Sequence, residues 1–141
     1  MFGKKKKKYD FYLAGCMRGI PNLNKEMFTL VAGLLRDKGF TVFNPSEHGS
    51  YLRSSFASCM TTDINAIVNR CNKIALLPSW KDSLGANTEA FVAFVCGMEA
   101  VEVTLNETKT DIDLLPFDLS NYRLPYGEGE ACQFDPHDEE L

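Results

Sequence analysis

Two acidic side chains occupy positions from which they could do chemistry on a sugar. Asp63 and Glu89 each fall near the start of a predicted helix, in "MTTDINAIVNRC" and "GANTEAFVAFVCGM". Two carboxyl groups across a pocket suit glycosyl transfer, because one attacks or stabilises the anomeric carbon and the other handles a proton. Each acid alone also has a plainer interpretation, since the positive end of the helix dipole favours acids in a first helical turn.

Two glycine-containing loops supply further candidates. The loop "GCMRGIPNLN" contains Gly15, Arg18 and Gly19, and "PSWKDSLGAN" contains Ser83 and Gly85. Glycines allow close backbone approach, an Arg fork matches a phosphate or carboxylate, and free amides at a helix start attract anions. An ordinary surface cation at Arg18 and a plain helix N-cap at Ser83 are the structural alternatives. The spacing supports neither a classical NAD site nor an ATPase.

Segments of strand and helix character alternate along the chain. The predicted strands are "YDFYLAG", "FTVFNP", "KIALLP" and "AVEVTL", and the predicted helices are "NKEMFTLVAGLLRDKGF", "MTTDINAIVNRC" and "GANTEAFVAFVCGM". Lys38 and Gly39 close the first helix, and Ile64, Ile67, Val68 and Cys71 are predicted to share one face of the second.

This alternation predicts an α/β fold with a doubly wound parallel sheet, a flavodoxin-like or Rossmann-like three-layer sandwich. In such sheets ligands bind beyond the carboxyl ends of the strands. The loops after the first three strands are therefore expected to converge on one ligand-binding edge.

Composition narrows the class of protein. The 141 residues, 45% of them hydrophobic, fit a single domain with a core. A net charge of −4 gives no field for a nucleic-acid backbone, so a small substrate is favoured over polymeric DNA or RNA. The run "AFVAFVCGM" is too short to span a membrane and no secretory segment follows the first lysines, which predicts a soluble, cytoplasmic protein.

The ends of the chain differ from its middle. We divide the sequence into a basic tail at 1–8, a domain at 9–126 and an acidic tail at 127–141. The cysteines, at 16, 59, 71, 96 and 132, are odd in number and form no C-x-x-C pair, so they are interpreted as reduced thiols. His48 and His137 are isolated, and no metal site is predicted.

A family resemblance joins these residues. "YLAGCMRGIPNLN", "FTVFNP", Asp63 and "ALLPSWKDSLGANTEAFVAFVCG" together resemble the nucleoside 2-deoxyribosyltransferase-like superfamily, over about residues 9–105. That superfamily includes deoxynucleoside 5′-monophosphate N-glycosidases and many small phage proteins. The step from Gly85 to Glu89 and the preceding Ser-x-Gly at Ser83 are the more specific parts.

The resemblance implies a role for each candidate. Glu89 corresponds to the nucleophile that attacks C1′ of the sugar, and Asp63 to the acid that positions the sugar or manages the proton on the base. Glu89 is expected in a first helical turn, where the dipole would keep it ionised. The remaining residues are implied to contact the nucleotide or its 5′-phosphate: Tyr12, Gly15, Arg18, Gly19, Ser83 and Gly85.

The implied activity is cleavage of the N-glycosidic bond of a (deoxy)nucleoside 5′-monophosphate, with release of free base. Water would complete hydrolysis and a second base would complete transfer, through a glycosyl-Glu89 ester in both cases. A homodimer without a cofactor is implied, in the host cytoplasm for a phage protein. The alternative is a non-catalytic nucleotide-binding module that sequesters a nucleotide or regulates a partner.

The chain departs from the family pattern at three places. Many relatives carry an acid beside the third strand, where this chain has Asn72. The first loop has Cys16 and Met17 where small polar residues often stand. The segment "NETKTDIDLLPFDLSNYRLPYG" matches no family site residue, and we interpret it as a lid or dimer arm with Phe117, Tyr122 and Tyr126.

Overall fold

Strands and helices alternate along the chain before a final hairpin. The structure is a computed structural model, and it describes residues 7–48 and 55–121. The elements in chain order are β1 (Tyr9–Ala14), α1 (Lys25–Asp37), β2 (Val42–Phe43), α2 (Phe56–Arg70), β3 (Cys71–Leu76), α3 (Leu84–Val95), β4 (Glu99–Leu105) and β5 (Ile112–Phe117).

The five strands form one sheet in the order β2-β1-β3-β4-β5. β1 pairs in parallel with both β2 and β3, and β3 pairs in parallel with β4. The chain moves outward from β1 to β2, then crosses back over β1 to β3. This is the flavodoxin-like strand order, whose reversal point lies between β1 and β3. The predicted single-domain, doubly wound α/β fold is confirmed.

Helices cover both faces of the sheet and so make three layers. α1 packs on one face, where Phe28, Val31 and Leu35 are buried with Leu13 and Leu77. α2 and α3 pack together on the other face over a second core cluster. The buried side chains of that cluster are Tyr12, Ala14, Phe43, Ala66, Ile67, Cys71, Ile74, Leu76, Trp80, Ala86, Ala90, Ala93, Ala100 and Leu119.

The segment interpreted as a lid or dimer arm contributes a fifth strand, which the sequence analysis did not predict. β5 is antiparallel to β4, with Leu105 opposite Ile112 and Ala100 opposite Phe117. This strand, "IDLLPF", was not predicted because Pro116 is typical of a segment that breaks a strand. An edge strand nevertheless tolerates proline. Phe117 packs edge-on against Trp80, 5.5 Å between ring centroids. Tyr122 and Tyr126 lie outside the described residues.

The second helix begins earlier than predicted. Ser55 is its N-cap and accepts a hydrogen bond from the Ser58 N–H, so α2 starts at Phe56. Asp63 therefore lies near the middle of the helix, and its predicted place near the helix start is wrong. The predicted apolar face is correct for Ile67, which is buried, but Val68 is exposed. Cys71, the last predicted member of that face, begins β3.

Asn72 lies at the amino edge of the sheet. Its side chain accepts from the Lys7 N–H at 3.3 Å and donates to the Tyr9 carbonyl at 3.1 Å. Asn72 thus holds the chain that enters β1, at the edge opposite to the loops expected to bind ligand. Of the two predicted tails, 1–6 and 127–141 lie outside the described residues. None of the described helices has the length and apolar content that a membrane span requires.

Gly15 occupies a tight place at the carboxyl end of β1. A Cβ on this residue would lie 3.0 Å from the Leu77 Cβ and 3.4 Å from the Phe28 ring. The absence of a side chain therefore lets the loop after β1 pass close to the loop after β3. This packing accounts for the glycine without a ligand, and its predicted contact with a nucleotide stays a prediction.

We expect Gly15→Ala and Gly33→Ala to change stability in opposite directions. The added methyl at Gly15 overpacks Leu77, which typically costs about 1 to 3 kcal/mol. Gly33 lies inside α1 with nothing within 4 Å of a built Cβ, so alanine there should stabilise by roughly 0.5 to 1 kcal/mol. Urea denaturation of both variants measures this, and equal effects would contradict the packing assigned to Gly15.

Candidate active site

The amino end of α3 is held by its own side chains. Ser83 is the N-cap, and its Oγ accepts from the Ala86 N–H at 3.1 Å. Asn87 is fully buried and its Nδ2 donates to the carbonyls of Lys81 and Ser83, at 2.9 and 2.6 Å. These bonds fix the point at which α3 leaves the loop after β3. The interpretation of Ser83 as a helix N-cap is therefore confirmed.

Small side chains on α3 bring its backbone close to the sheet. Ala86, Ala90 and Ala93 face the core cluster and are almost completely buried. Alanine at these positions lets the helix approach β1 and β3 more closely than larger side chains would. Glu89 lies on the same side of the helix and is carried into the interior, where it is 5% exposed.

Glu89 meets Tyr12 of β1 inside the protein. The Tyr12 Oη donates a hydrogen bond to Glu89 Oε2 at 2.6 Å. Tyr12 is 0% exposed, so it supports Glu89 from within the core. The first turn of α3 contains no acid, and Glu89 lies in the second turn. The prediction that a first-turn dipole keeps this residue ionised is wrong, because the dipole effect falls off within one turn.

Asp63 lies against Glu89 from the neighbouring helix. It is 5% exposed, on α2, which packs along α3. Burial raises the pKa of Glu89 well above its ordinary value of 4.5, and the charge of Asp63 and a hydrogen bond with it raise this pKa further. The hydrogen bond from Tyr12 acts in the opposite direction. Two buried carboxyl groups in contact cannot both ionise cheaply, so the pair is built to share a proton.

The loop after β1 contacts two neighbouring parts of the protein, the loop after β3 and helix α2. The Cys16 thiol donates to the Ser79 carbonyl at 3.1 Å, which joins this loop to the loop after β3. Arg18 Nη2 lies 3.7 Å from Cys59 Sγ on α2. Cys59 precedes Asp63 by one helical turn, and burial raises the pKa of its thiol. Arg18 therefore lies beside the helix face that carries Asp63.

An aromatic stack extends from the carboxyl pair to the second loop. Phe43 of β2 stacks on Tyr12 at 5.6 Å between ring centroids, and His48 stacks on Phe43 at 4.2 Å. The rings are nearly parallel, at 15° and 5°. The stack fixes the orientation of the Tyr12 ring and hence of its hydroxyl. His48 was interpreted from the sequence as an isolated loop histidine, and that interpretation missed this contact.

The predicted site residues fall into two groups. Tyr12, Asp63 and Glu89 form one buried cluster, and Arg18 lies close to it through Cys59. The second group consists of residues whose positions are explained by the fold itself. Gly15 packs on Leu77, Gly19 adopts a φ of +85°, Ser83 caps α3 and Gly85 lies in the first turn of α3. Their roles toward a nucleotide stay predictions.

Cys59, Phe43 and His48 are the neighbours that sequence reasoning missed. The spacing between Cys59 and Asp63 would have indicated a shared face if α2 had been predicted to begin at Phe56. No comparable signal in the sequence pointed to the contact of Phe43 with Tyr12, since it joins two different strands.

A separate open groove of about 640 Å³ lies at the carboxyl edge of β3 and β4. Trp80, Lys81, Glu102 and Leu105 are among its walls, and neither carboxyl group of the pair lines it. Within residues 7–48 and 55–121, no group of three His, Cys, Asp or Glu side chains is arranged to hold a metal ion.

Comparison with known families places the chain in a group of undetermined role. Residues 9–102 match the family described as "Domain of unknown function (DUF4406)", and the chain belongs to that family. The matched span contains every residue of the cluster described above and ends within β4, before β5. No curated protein and no solved structure matches the chain.

We expect Glu89→Gln to stabilise the fold at neutral and alkaline pH. The raised pKa means that the folded state holds this proton more tightly than the unfolded state does. Folding therefore loses stability as the pH rises above 4.5 toward the raised pKa. Glutamine accepts the Tyr12 hydrogen bond without a charge. The Tm of the variant should exceed that of the wild type by on the order of 5 °C near pH 8, with a smaller difference toward acidic pH.

The exposed Glu107 offers a matched control. Glu107→Gln should leave Tm unchanged across the same pH range, because its carboxyl group stays in water in both states. A wild type that is more stable than Glu89→Gln at alkaline pH would show that Glu89 ionises in the folded protein without cost.

Proposed function

We propose that this member of the DUF4406 family cleaves the N-glycosidic bond of a (deoxy)nucleoside 5′-monophosphate through a covalent glycosyl-Glu89 intermediate. The observation that carries the proposal is the buried contact of Glu89 with Tyr12 and Asp63. A buried pair of acids opposes folding, as the raised pKa of Glu89 implies. Such a cost is typical of sites where carboxyl groups perform proton transfer and nucleophilic attack.

The proposed first step divides the shared proton between the two acids. The raised pKa of Glu89 means that Glu89 holds the shared proton in the resting protein, so this proton must first move to Asp63. The hydrogen bond that Tyr12 donates to Glu89 favours the ionised form that results. The Glu89 carboxylate then attacks C1′ of the sugar while the bond from C1′ to the base nitrogen breaks. The base leaves with that electron pair and receives the proton of Asp63, which becomes a carboxylate.

The proposed second step reverses these roles. The Asp63 carboxylate takes a proton from water, whose oxygen attacks C1′ and displaces Glu89. An acceptor base attacking through its nitrogen would give transfer instead. Two displacements at C1′ preserve the configuration of the sugar, which is the outcome of the retaining glycosidase mechanism. Both carboxyl groups finish in the protonation states that the initial proton transfer gave them.

The proposed site for the 5′-phosphate lies between Arg18 and the start of α3. The Arg18 guanidinium can supply a forked pair of donors to phosphate oxygens. The first N–H groups of α3 have no partner within the helix, and Gly85 leaves them open to a close approach. The Ser83 hydroxyl is engaged by the Ala86 N–H, so its contribution to a phosphate is secondary.

The proposal places the protein in the cytoplasm as a homodimer without a cofactor, as the resemblance implies. The competing function is a module that binds a nucleotide and leaves it intact. The paired acids favour the enzyme, since a pure binder gains nothing from two carboxyl groups that oppose each other's ionisation. Intact nucleotide retained by the protein would favour the binder.

The decisive measurement is release of free base from a panel of deoxynucleoside and ribonucleoside 5′-monophosphates, with and without an acceptor base, followed by chromatography. One or more substrates should release base, and Glu89→Gln should lose this activity by a factor of roughly 10³ or more, since the nucleophile is removed. Nucleotide binding should persist in the variant, because glutamine is nearly isosteric.

Two results would contradict the mechanism. Base released by Glu89→Gln at the wild-type rate would exclude Glu89 as the nucleophile. Intact nucleotides across the whole panel would exclude the activity, and a nucleotide that stays bound would identify the binding module. Glu107→Gln serves here too, as an exposed acid whose loss should not affect turnover.

We expect Tyr12→Phe to move the acidic limb of the pH profile of kcat/KM to higher pH. The lost hydroxyl favoured ionised Glu89, so without it Glu89 keeps its proton to a higher pH. A hydrogen bond to a charged group contributes about 1.5 to 3 kcal/mol, so activity at neutral pH should fall roughly 10- to 100-fold. Tyr9→Phe, on the same strand, is the control, and an unmoved limb would contradict the role given to Tyr12.

A further inference from the structure

The helical layer formed by α2 and α3 leaves large apolar side chains exposed to solvent. On α3, Phe91 is 47% exposed, Phe94 46% and Val95 67%. Val68, near the end of α2, is also exposed. Surface helices ordinarily turn their largest apolar residues toward the core, whereas α3 turns its alanines inward. We call these four residues the outer helical patch, and the described part of the chain does not cover it.

No exposed acid lies on the described outer side of this layer. α2 and α3 contain two acids between them, Asp63 and Glu89, and both are buried. The whole chain has 19 acids, so two adjacent helices without an exposed one stand apart from the rest of the surface. An anionic partner that approaches α2 and α3 would therefore meet no like charge on them.

Basic residues lie at the end of the layer where both helices finish. α2 and α3 lead into β3 and β4, which are parallel, so both helices end at the amino edge of the sheet. The Lys7 ammonium donates to the Val68 carbonyl at 2.7 Å, which places a positive charge beside the patch. Arg70, the last residue of α2, is exposed. Lys7 also belongs to a run of five lysines at residues 4–8.

The net charge of −4 does not oppose binding to an anionic surface. Six of the 19 acids lie at residues 128–140, a stretch without Lys or Arg. The rest of the chain therefore carries 15 basic and 13 acidic side chains, and the basic ones include the run that leads to the patch.

We infer that the outer helical patch and the adjacent lysines bind the surface of an anionic lipid bilayer. Exposed aromatic and aliphatic side chains enter the boundary between headgroups and acyl chains, while lysines attract the negative headgroups. Binding of this kind strengthens with the apolar area that is buried and with the attraction to anionic lipid. It takes place at the membrane surface and requires no spanning helix.

The area of the patch suits a bilayer better than a protein partner. A buried aromatic side chain covers about 150 to 250 Å², so two half-exposed phenylalanines together present roughly that much. A specific protein interface buries about 800 Å² on each partner, which is several times more. A bilayer sets no such minimum, because each apolar side chain that enters it contributes on its own.

A nucleic acid is the other polyanion that this charge distribution could attract. Proteins bind its backbone through cations that are spread along a groove or a helix face. Here the cations lie at one end of the layer, and uncharged side chains occupy the rest of its outer surface. The arrangement therefore favours lipid.

Co-sedimentation of the full chain with vesicles tests the inference. The wild type should bind phosphatidylcholine vesicles with about 30% phosphatidylserine roughly 100-fold more tightly than vesicles of phosphatidylcholine alone, and added salt should weaken this binding. Replacing both phenylalanines, Phe91→Ser with Phe94→Ser, should weaken binding to the anionic vesicles roughly 10-fold or more. Leu115→Ser is the matched control, since Leu115 is also exposed but lies on β5, and its binding should not change.

A tryptophan substitution locates the contact. The fluorescence of Phe94→Trp should shift to the blue on anionic vesicles, because the indole leaves water, whereas that of Leu115→Trp should not. The natural Trp80 is 3% exposed and gives a constant background. Circular dichroism confirms that each variant is folded, and Phe94→Trp decides if the double serine variant is not, since it keeps an aromatic side chain.

Four results would overturn the inference. A wild type that binds neither kind of vesicle would exclude the bilayer as a partner. Binding that the serine substitutions leave unchanged, or an unshifted Phe94→Trp, would place the contact elsewhere. Tighter binding to duplex DNA than to anionic vesicles at equal phosphate concentration would identify a nucleic acid as the partner. None of these readouts involves base release, so failure here leaves the proposed glycosidase activity unaffected.

Discussion

The hydrogen bond between Tyr12 and Glu89 is the constraint around which the structure is arranged. A carboxyl group can be buried only beside partners that satisfy it, and here the partners come from β1 and α2. The bond requires α3 to lie close to β1, although β3 separates β1 from the strand that α3 leads into. The alanines on the inner side of α3, the Asn87 bonds at its start and the stacked ring of Phe43 all serve that approach.

Strand order explains why these partners meet. β1 and β3 are neighbours because the chain crosses back over β1, and the carboxyl ends of both strands open at this reversal point. Tyr12 is supplied by the first strand at that point and Glu89 by the helix that follows the second. Asp63 arrives from the helix that makes the crossing. A single topological step thus assembles three side chains that are far apart in the sequence.

The fold could be predicted because the spacing of apolar residues indicates which face of each helix and strand is buried. The alternation of strands and helices was enough to predict the three layers, and the two acids selected from the sequence lie in contact with each other. Contacts between elements could not be predicted from periodicity, because the hydrogen bond of Tyr12 to Glu89 joins side chains 77 positions apart. The nucleotide contact assigned to Tyr12 stays a prediction. The start of α2 was missed because residues 56–59 carry no strong helical signal, and β5 because a proline obscured it. Gly15 and Ser83 resemble ligand residues by type, yet packing and capping alone can select the same amino acids.

The two edge strands of the sheet, β2 and β5, are poorly suited to pairing with a strand of another molecule. β2 is only two residues long, and β5 carries Pro116, which has no N–H to offer. Short strands and proline are the means by which native sheets avoid adding strands from other molecules. Neither edge is therefore a good template for aggregation through the backbone.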